Sequence, residues 1–351
     1  MTWDIALILG IDGLANGAIY LLAGLGLVLI FSVTRVVFVP FGDIAAFAAL
    51  TLAAFEADRM PPTIGLVACV TLLALLTEAV SVLRKGEAAR LPKVLLLWGV
   101  LPLLPCALAW AVARPGVPVA AQVAASVLLV VPLAPLLGRI VFQPIADASA
   151  LVLLIVSLAL HFLLSGLGLL FFGPEGSRTQ PLATGSITLA DGFTVSGQVL
   201  LMVVAAIVLS GLFFLVFERT VAGKALRATA VNRVGARLVG IRPARTALLA
   251  YGCASLLGGL VGVLIAPVTT MYYDSGFLIG LKAFVAAIVG GLASYPVTAV
   301  GALAVGVLES FSSFWSGALK DVIVFSLLIP VLMARSYMAS QHEEEVEEVE
   351  Q

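Results

Sequence analysis

From end to end the chain repeats one pattern: continuous apolar runs of about twenty residues separated by short polar turns. A run of that length, wound as an α-helix, matches the roughly 30 Å hydrocarbon core of a bilayer. Such runs fall at 5–32, 39–56, 63–83, 94–113, 119–141, 149–172, 197–217, 245–267, 277–293, 297–315 and 318–335. A transmembrane barrel would show alternating segments of about ten residues instead. With 62% hydrophobic and 11% charged residues and a mean hydropathy of +1.16, the chain cannot hide its apolar surface by folding on itself in water. The expected fold class is all-α, a polytopic transmembrane helix bundle in one domain over residues 1–340 with no separate soluble domain. The 39–56 segment is short and has Pro40 near its start, so it reads either as a crossing or as a broken, re-entrant helix. Eleven spans or ten follow from that choice.

Charge sets the expected orientation. Residues 218–245 carry Arg219, Lys224, Arg227, Arg233, Arg237, Arg242 and Arg245 against Glu218, seven of the nineteen Lys and Arg in the chain. A basic block between spans marks the cytoplasmic side. With this loop inside, alternation also puts Arg35, Arg84, Lys85, Arg90, Lys93, Arg139 and Arg335 inside, fourteen in all. Arg59, Arg114, Arg178, Lys282 and Lys320 remain elsewhere, so the N-terminus is expected outside and the C-terminus in the cytoplasm. Helix formers such as Ala225, Leu226, Ala228 and Ala230, punctuated by Gly235 and Gly240, give the loop the character of a structured docking element. The glutamate-rich end, 341–351, reads as a disordered acidic tail. The first run lacks a positive leader and a small-residue cleavage site, so it is expected to be retained. In the longest outer segment, 173–197, alternation on either side of Asp191-Gly192 predicts a small hairpin.

Chemistry of the enzymatic kind is missing. No GxxxxGK[ST], HExxH or GxSxG pattern occurs, so no nucleotide site, no cofactor, no metal and no catalytic residue is expected, and nucleic acid is not a partner. Cys69, Cys106 and Cys253 have no metal or disulfide spacing and read as small core residues. Glycine pairs at GxxxG spacing, Gly13 with Gly17 and Gly258 with Gly262, read as helix-packing positions. A thin scatter of ionisable residues at membrane depth stands out: Asp12, Asp43, Glu78, His161, Lys282, Glu309, Lys320 and Asp321. Each is costly in hydrocarbon and must face protein or water. Asp43, Lys282 and Glu309 are the candidates for a polar translocation path, and His161 reads as a structural histidine. No carboxylate relay or arginine repeat runs along any span, so the energy source is expected in another polypeptide.

Two ordered segments carry a resemblance. Gly223-Lys224-Ala225-Leu226-Arg227-Ala228-Thr229-Ala230-Val231-Asn232, followed by Ala236-Arg237-Leu238-Val239-Gly240-Ile241, is similar to the cytoplasmic coupling segment of permeases of the branched-chain amino acid ABC importer family. Lys282 through Pro296, then Gly301, Gly306, Glu309 and Lys320-Asp321, is similar to that family's K-A-F-x-A-A-x-x-G-G-x-x-S-x-P stretch and its later G-x-x-E and K-D positions. Weaker similarity runs over Tyr20 to Ile30 and from Phe142 through Ser157, which leaves about 58–135 as an atypical insertion holding two extra helices. Phe38-Val39-Pro40-Phe41-Gly42, Val231 and Val297 depart from the family pattern. The resemblance implies a transport subunit that is not itself an enzyme. Its implied partners are ATPase subunits on the cytoplasmic side, a second permease subunit, a soluble solute-binding protein outside, and membrane lipid. It also implies an ATPase-coupling role for Lys224, Ala225, Arg227, Ala228, Ala230, Asn232, Ala236, Arg237, Gly240 and Ile241, and a branched-chain or other hydrophobic amino acid as solute. The alternatives are a permease for urea or short amides and a stand-alone secondary transporter or channel.

Overall fold

The apolar runs wind into helices almost where the hydropathy puts them, and the computed structural model describes residues 3–189 and 193–333 of the chain. In order these are α1 (Trp3–Thr34), α2 (Phe41–Glu56), α3 (Thr63–Arg84), α4 (Leu91–Val112), α5 (Val119–Phe142) and α6 (Ala150–Phe172). A two-stranded hairpin, β1 (Ser186–Leu189) and β2 (Phe193–Ser196), precedes α7 (Gly197–Arg219). Two short helices, α8 (Val221–Val231) and α9 (Arg233–Leu238), lead to α10 (Pro243–Ile265), α11 (Gly276–Val289), α12 (Tyr295–Trp315) and α13 (Lys320–Ser326). Eight of them are long and apolar enough to cross a membrane: α1, α3, α4, α5, α6, α7, α10 and α12. The strands flank the expected Asp191-Gly192 turn, which lies outside the described residues, as do Arg335 and the 341–351 tail.

Two of the remaining apolar segments, 39–56 and 277–293, form shorter helices, because non-helical backbone precedes each inside the bundle; the third, 318–335, extends beyond the described residues. α1 ends at Arg35, whose φ of 61° is left-handed, and the chain then runs without helix to Pro40. That stretch is interior: Val36 and Phe38 are buried, and the Val39 N–H donates to Ser157 Oγ at 2.9 Å, partway along α6. α2 therefore begins inside the bundle and, at 16 residues, extends about 24 Å. α11 has 14 residues and likewise starts inside, with Phe277 stacked on His161 of α6 at 4.8 Å. The two starts touch. A Cβ on Gly42 would lie 1.8 Å from the Gly276 carbonyl oxygen, so only glycine permits this approach. From there the half-helices diverge: Glu56, at the end of α2, accepts from the Gln180 N–H, whereas the far end of α11 packs by Thr298 and Val289 near the start of α12. Non-helical backbone at membrane depth is tolerated only where protein or a cavity surrounds it, and here protein does.

Packing elsewhere follows small residues. Gly13 and Gly17 of α1 lie against α12, where a Cβ on Gly306 would meet Gly17 N at 2.2 Å, and Gly262 of α10 lies against Ala45 of α2. These contacts bear out the packing reading of both GxxxG pairs. α3, α4, α6 and α7 form the outer wall and leave many Leu, Val and Phe side chains exposed, as lipid contact requires. Cys69 corrects its sequence reading, since it sits on this wall and is exposed, whereas Cys106 is buried. The expected inner basic residues other than Arg335 gather on one face of the bundle, called here the loop side, with 218–245; the hairpin and the 266–275 connection lie on the other.

Candidate functional site

The basic loop is built as two helices with an explicit joint. Thr220 caps α8 by accepting from the Gly223 N–H at 3.0 Å, and Asn232 caps α9 by accepting from the Gly235 N–H at 2.9 Å. Gly223 makes the turn out of α7 possible, because a Cβ there would lie 2.5 Å from Phe217 backbone. Gly240, at φ 84°, ends α9 with the Gly240 N–H on the Arg237 carbonyl and the Ile241 N–H on the Ala236 carbonyl, a glycine-terminated helix end. The loop is moored, not hanging. Leu226 packs with Leu29, Val33, Phe217 and Ala250, and the Arg233 guanidinium donates to the Val33 carbonyl at 2.9 and 3.1 Å, satisfying an orphan carbonyl at the end of α1. Burial, followed by the nearby Arg35, lowers the pKa of Arg233 from its usual value.

Against that moored face stands an outward one of mixed character. Lys224, Arg227, Asn232, Arg237 and Gly240 are exposed, and Val221, Val231 and Leu238 are 84%, 85% and 83% exposed. Ala225, Ala228, Ala230 and Ile241 are half-buried, and Ala236 turns inward and is buried. Of the ten loop residues singled out in the sequence, Ala236 is therefore a packing residue of α9. Arg227 pairs with Glu218, the one acid of the loop. Apolar and basic side chains thus project together outside the spanning helices.

The second cluster lies far from this surface, among α1, α11, α12 and α13. Glu309 accepts from the Tyr20 hydroxyl with one carboxylate oxygen and from Lys282 Nζ with the other. Lys282 also pairs with Asp321 at 2.9 Å, without hydrogen-bond alignment. Residues 289 apart in sequence thus make one buried polar network, and Tyr20, an aromatic inside an apolar run, was not legible as a member of it. A cleft of about 370 Å³ opens beside it, lined by Asp12, Asn16, Glu309, Ser310, Ser313 and Lys320, with Leu9, Val199, Met202 and Phe314 as apolar wall.

Asp43 does not join Lys282 and Glu309. It is 0% exposed, and both of its carboxylate oxygens lie 2.9 Å from His161 Nδ1, so the pair ties the start of α2 to α6. Ser157, one turn away on α6, holds the Val39 N–H of the same break. His161, read as a structural histidine, is thus paired with one of the three residues read as path. Glu78, at membrane depth on α3, is matched by Arg139 of α5, whose Nη2 donates to it at 2.9 Å. Among the described residues no group of three His, Cys, Asp or Glu is placed to hold a metal ion.

Residues 10–332 match the family model described as branched-chain amino acid transport system, permease component. The high-affinity branched-chain amino acid transport system permease protein LivH of Salmonella typhimurium is 31% identical over 208 residues, which cover 56% of this chain and 65% of that one. BraD of Pseudomonas aeruginosa, of the same description, is 29% identical over 56% of this chain and 66% of its own. A probable LivH of Methanocaldococcus jannaschii is 32% identical over 36% of this chain and 42% of its own. This chain thus spans just under two thirds of the length of the first two relatives. No solved structure matches it. With a family match over nearly its whole length and eight helices of membrane-spanning length and composition, the chain belongs to the branched-chain amino acid transport permease components.

Proposed function

We propose that this chain is the transmembrane subunit of an ABC importer in a prokaryotic inner membrane, carrying branched-chain or other hydrophobic amino acids. A second permease subunit, a copy or a paralogue, completes the path. Cytoplasmic ATPase subunits grip α8 and α9, and a soluble binding protein delivers solute on the opposite face. The observation that carries this reading is the moored loop with its exposed valines, leucines and arginines: a lever fixed to the ends of α1, α7 and α10 and open to a partner. A partner that moves the lever moves those three helices as rigid bodies. The cleft beside Glu309 supplies the other requirement, groups of both charge signs beside an apolar wall, which suits a zwitterion with an aliphatic side chain. Lys282 and Glu309 border this path, and Asp43 holds the adjoining half-helix in place.

The test is charge reversal on the lever. Arg227→Glu combined with Arg237→Glu is expected to abolish ATP-dependent uptake of the solute in cells expressing the whole importer, while the variant chain reaches the membrane in normal amount. Both side chains are exposed, so folding should not suffer. Undiminished uptake in that double variant would remove the coupling assignment.

A further inference from the structure

None of the residues of the Lys282–Glu309 network lies in α3, α4 or α5. These helices instead carry a recess of their own on the loop side. A cleft of about 230 Å³ there is lined by Glu78, Lys85, Glu87, Arg90, Lys93 and Arg139. Its two acids are already engaged, Glu78 by Arg139 and Glu87 by Arg90 at 2.7 Å. Lys85 and Lys93 are exposed and have no acid partner among the described residues. The cleft is therefore left with uncompensated positive charge.

Leu97 and Trp98 form a wall shared between this cleft and a second recess, a groove of about 660 Å³ between α4, α5 and α10. Trp98 is held in place from one side, with the Arg139 guanidinium 5.7 Å from its ring centroid. The groove is lined by Leu101, Pro102, Pro105, Pro132, Pro135 and Leu248, and its one charged lining residue is Arg245, exposed and without an acid partner among the described residues. The prolines account for its shape. Pro102 has no N–H to offer the Trp98 carbonyl, and the ladder widens into a π turn over residues 96–100; a second π turn follows Pro132 and Pro135 at 138–142. Both helices are thereby reshaped along the groove they share.

We propose that cleft and groove together bind an anionic phospholipid, with its phosphate at Lys85 and Lys93 in the cleft and an acyl chain lying past Trp98 along the prolines of the groove, where Arg245 adds positive charge. Charge complementarity selects this occupant. A free phosphate would satisfy the lysines and leave the apolar groove unused, and a helix of a second subunit would bring acids to the mouth only if its sequence supplied them. Each basic side chain near a headgroup contributes a several-fold gain in affinity for an anionic lipid. Residues of the atypical 58–135 segment thus acquire a role as a lipid-anchored wall of the bundle.

Native mass spectrometry of the detergent-solubilised full-length chain tests this with phosphatidylglycerol, with phosphatidylethanolamine of the same acyl chains, and with millimolar inorganic phosphate as competitor. One phosphatidylglycerol is expected to be retained in preference to phosphatidylethanolamine and to resist phosphate. Lys85→Gln, Lys93→Gln and Arg245→Gln together are expected to weaken its binding on the order of a hundredfold. Leu101→Trp, which changes no charge, is expected to weaken it by filling the groove. Equal retention of the two lipids, displacement by phosphate, or unchanged binding in the triple variant overturns the proposal. So does a cysteine at position 101 that cross-links two copies of the chain. If the triple variant fails to fold, the lipid preference of the unaltered chain and the Leu101→Trp result still decide.

Discussion

Glu309 sits between the Tyr20 hydroxyl and the Lys282 ammonium, and the balance of that arrangement makes a residue-scale prediction. Truncating Glu309→Ala leaves Lys282, only 7% exposed, with Asp321 alone; a fully stranded buried charge costs about 3 to 5 kcal/mol, so with one acid remaining the cost falls below that. The thermal unfolding midpoint of the solubilised chain is expected to fall clearly in this variant. Lys282→Met with Glu309→Leu is expected to recover part of the loss, because it removes the unmatched charge but leaves the buried Tyr20 hydroxyl and Asp321 without their partners. Equal midpoints for the single and double variants would show that the pair is not coupled. Glu309 and Lys282 were legible from the sequence as costly charges in apolar runs, and Asp43 and His161 were legible in the same way. Which charge meets which was not, because partners such as Tyr20 and Glu309 come from opposite ends of the chain.

At the scale of elements, the head-to-head start of α2 and α11 is the arrangement most sensitive to one atom. Gly42→Ala places a methyl carbon 1.8 Å from the Gly276 carbonyl oxygen, and backbone cannot yield as a flexible side chain can. The variant is expected to reach the membrane at a small fraction of the normal level, measured by immunoblot of the membrane fraction. Gly10→Ala, with open space around it, is expected to behave as the unaltered chain. The lever offers a gentler test. Thr220→Ala removes the cap of α8 and is expected to cost about 1 kcal/mol, lowering uptake without abolishing it. Pro40 announced the break before α2, since proline favours helix starts and breaks. The break before α11 fell between the runs 245–267 and 277–293 and read as an ordinary connection; that α11 stops at Val289 while its run continues to 293 was not legible, because hydropathy registers composition, not backbone path.

The whole molecule brings most of its described basic residues to one face, and that gives a prediction about sidedness. In a background with Cys69, Cys106 and Cys253 replaced by serine or alanine, a single cysteine at Val231, 85% exposed, is expected to react with an impermeant maleimide in inverted vesicles and not in intact cells. Labelling in intact cells only would invert the topology and with it the coupling assignment. The sequence by itself determined that the chain lives in a bilayer, where most of its helices lie and which loop is basic, because hydropathy and charge act over a few neighbouring residues; Asn232, and not Gly235, separates the two short helices. Tertiary structure alone decided that two apolar segments are half-helices meeting at Gly42 and Gly276, that Asp43 belongs to His161, that Ala236 faces inward, and that Arg233 moors the loop to α1. Those outcomes depend on the close approach of distant segments, which small residues permit and local sequence does not specify.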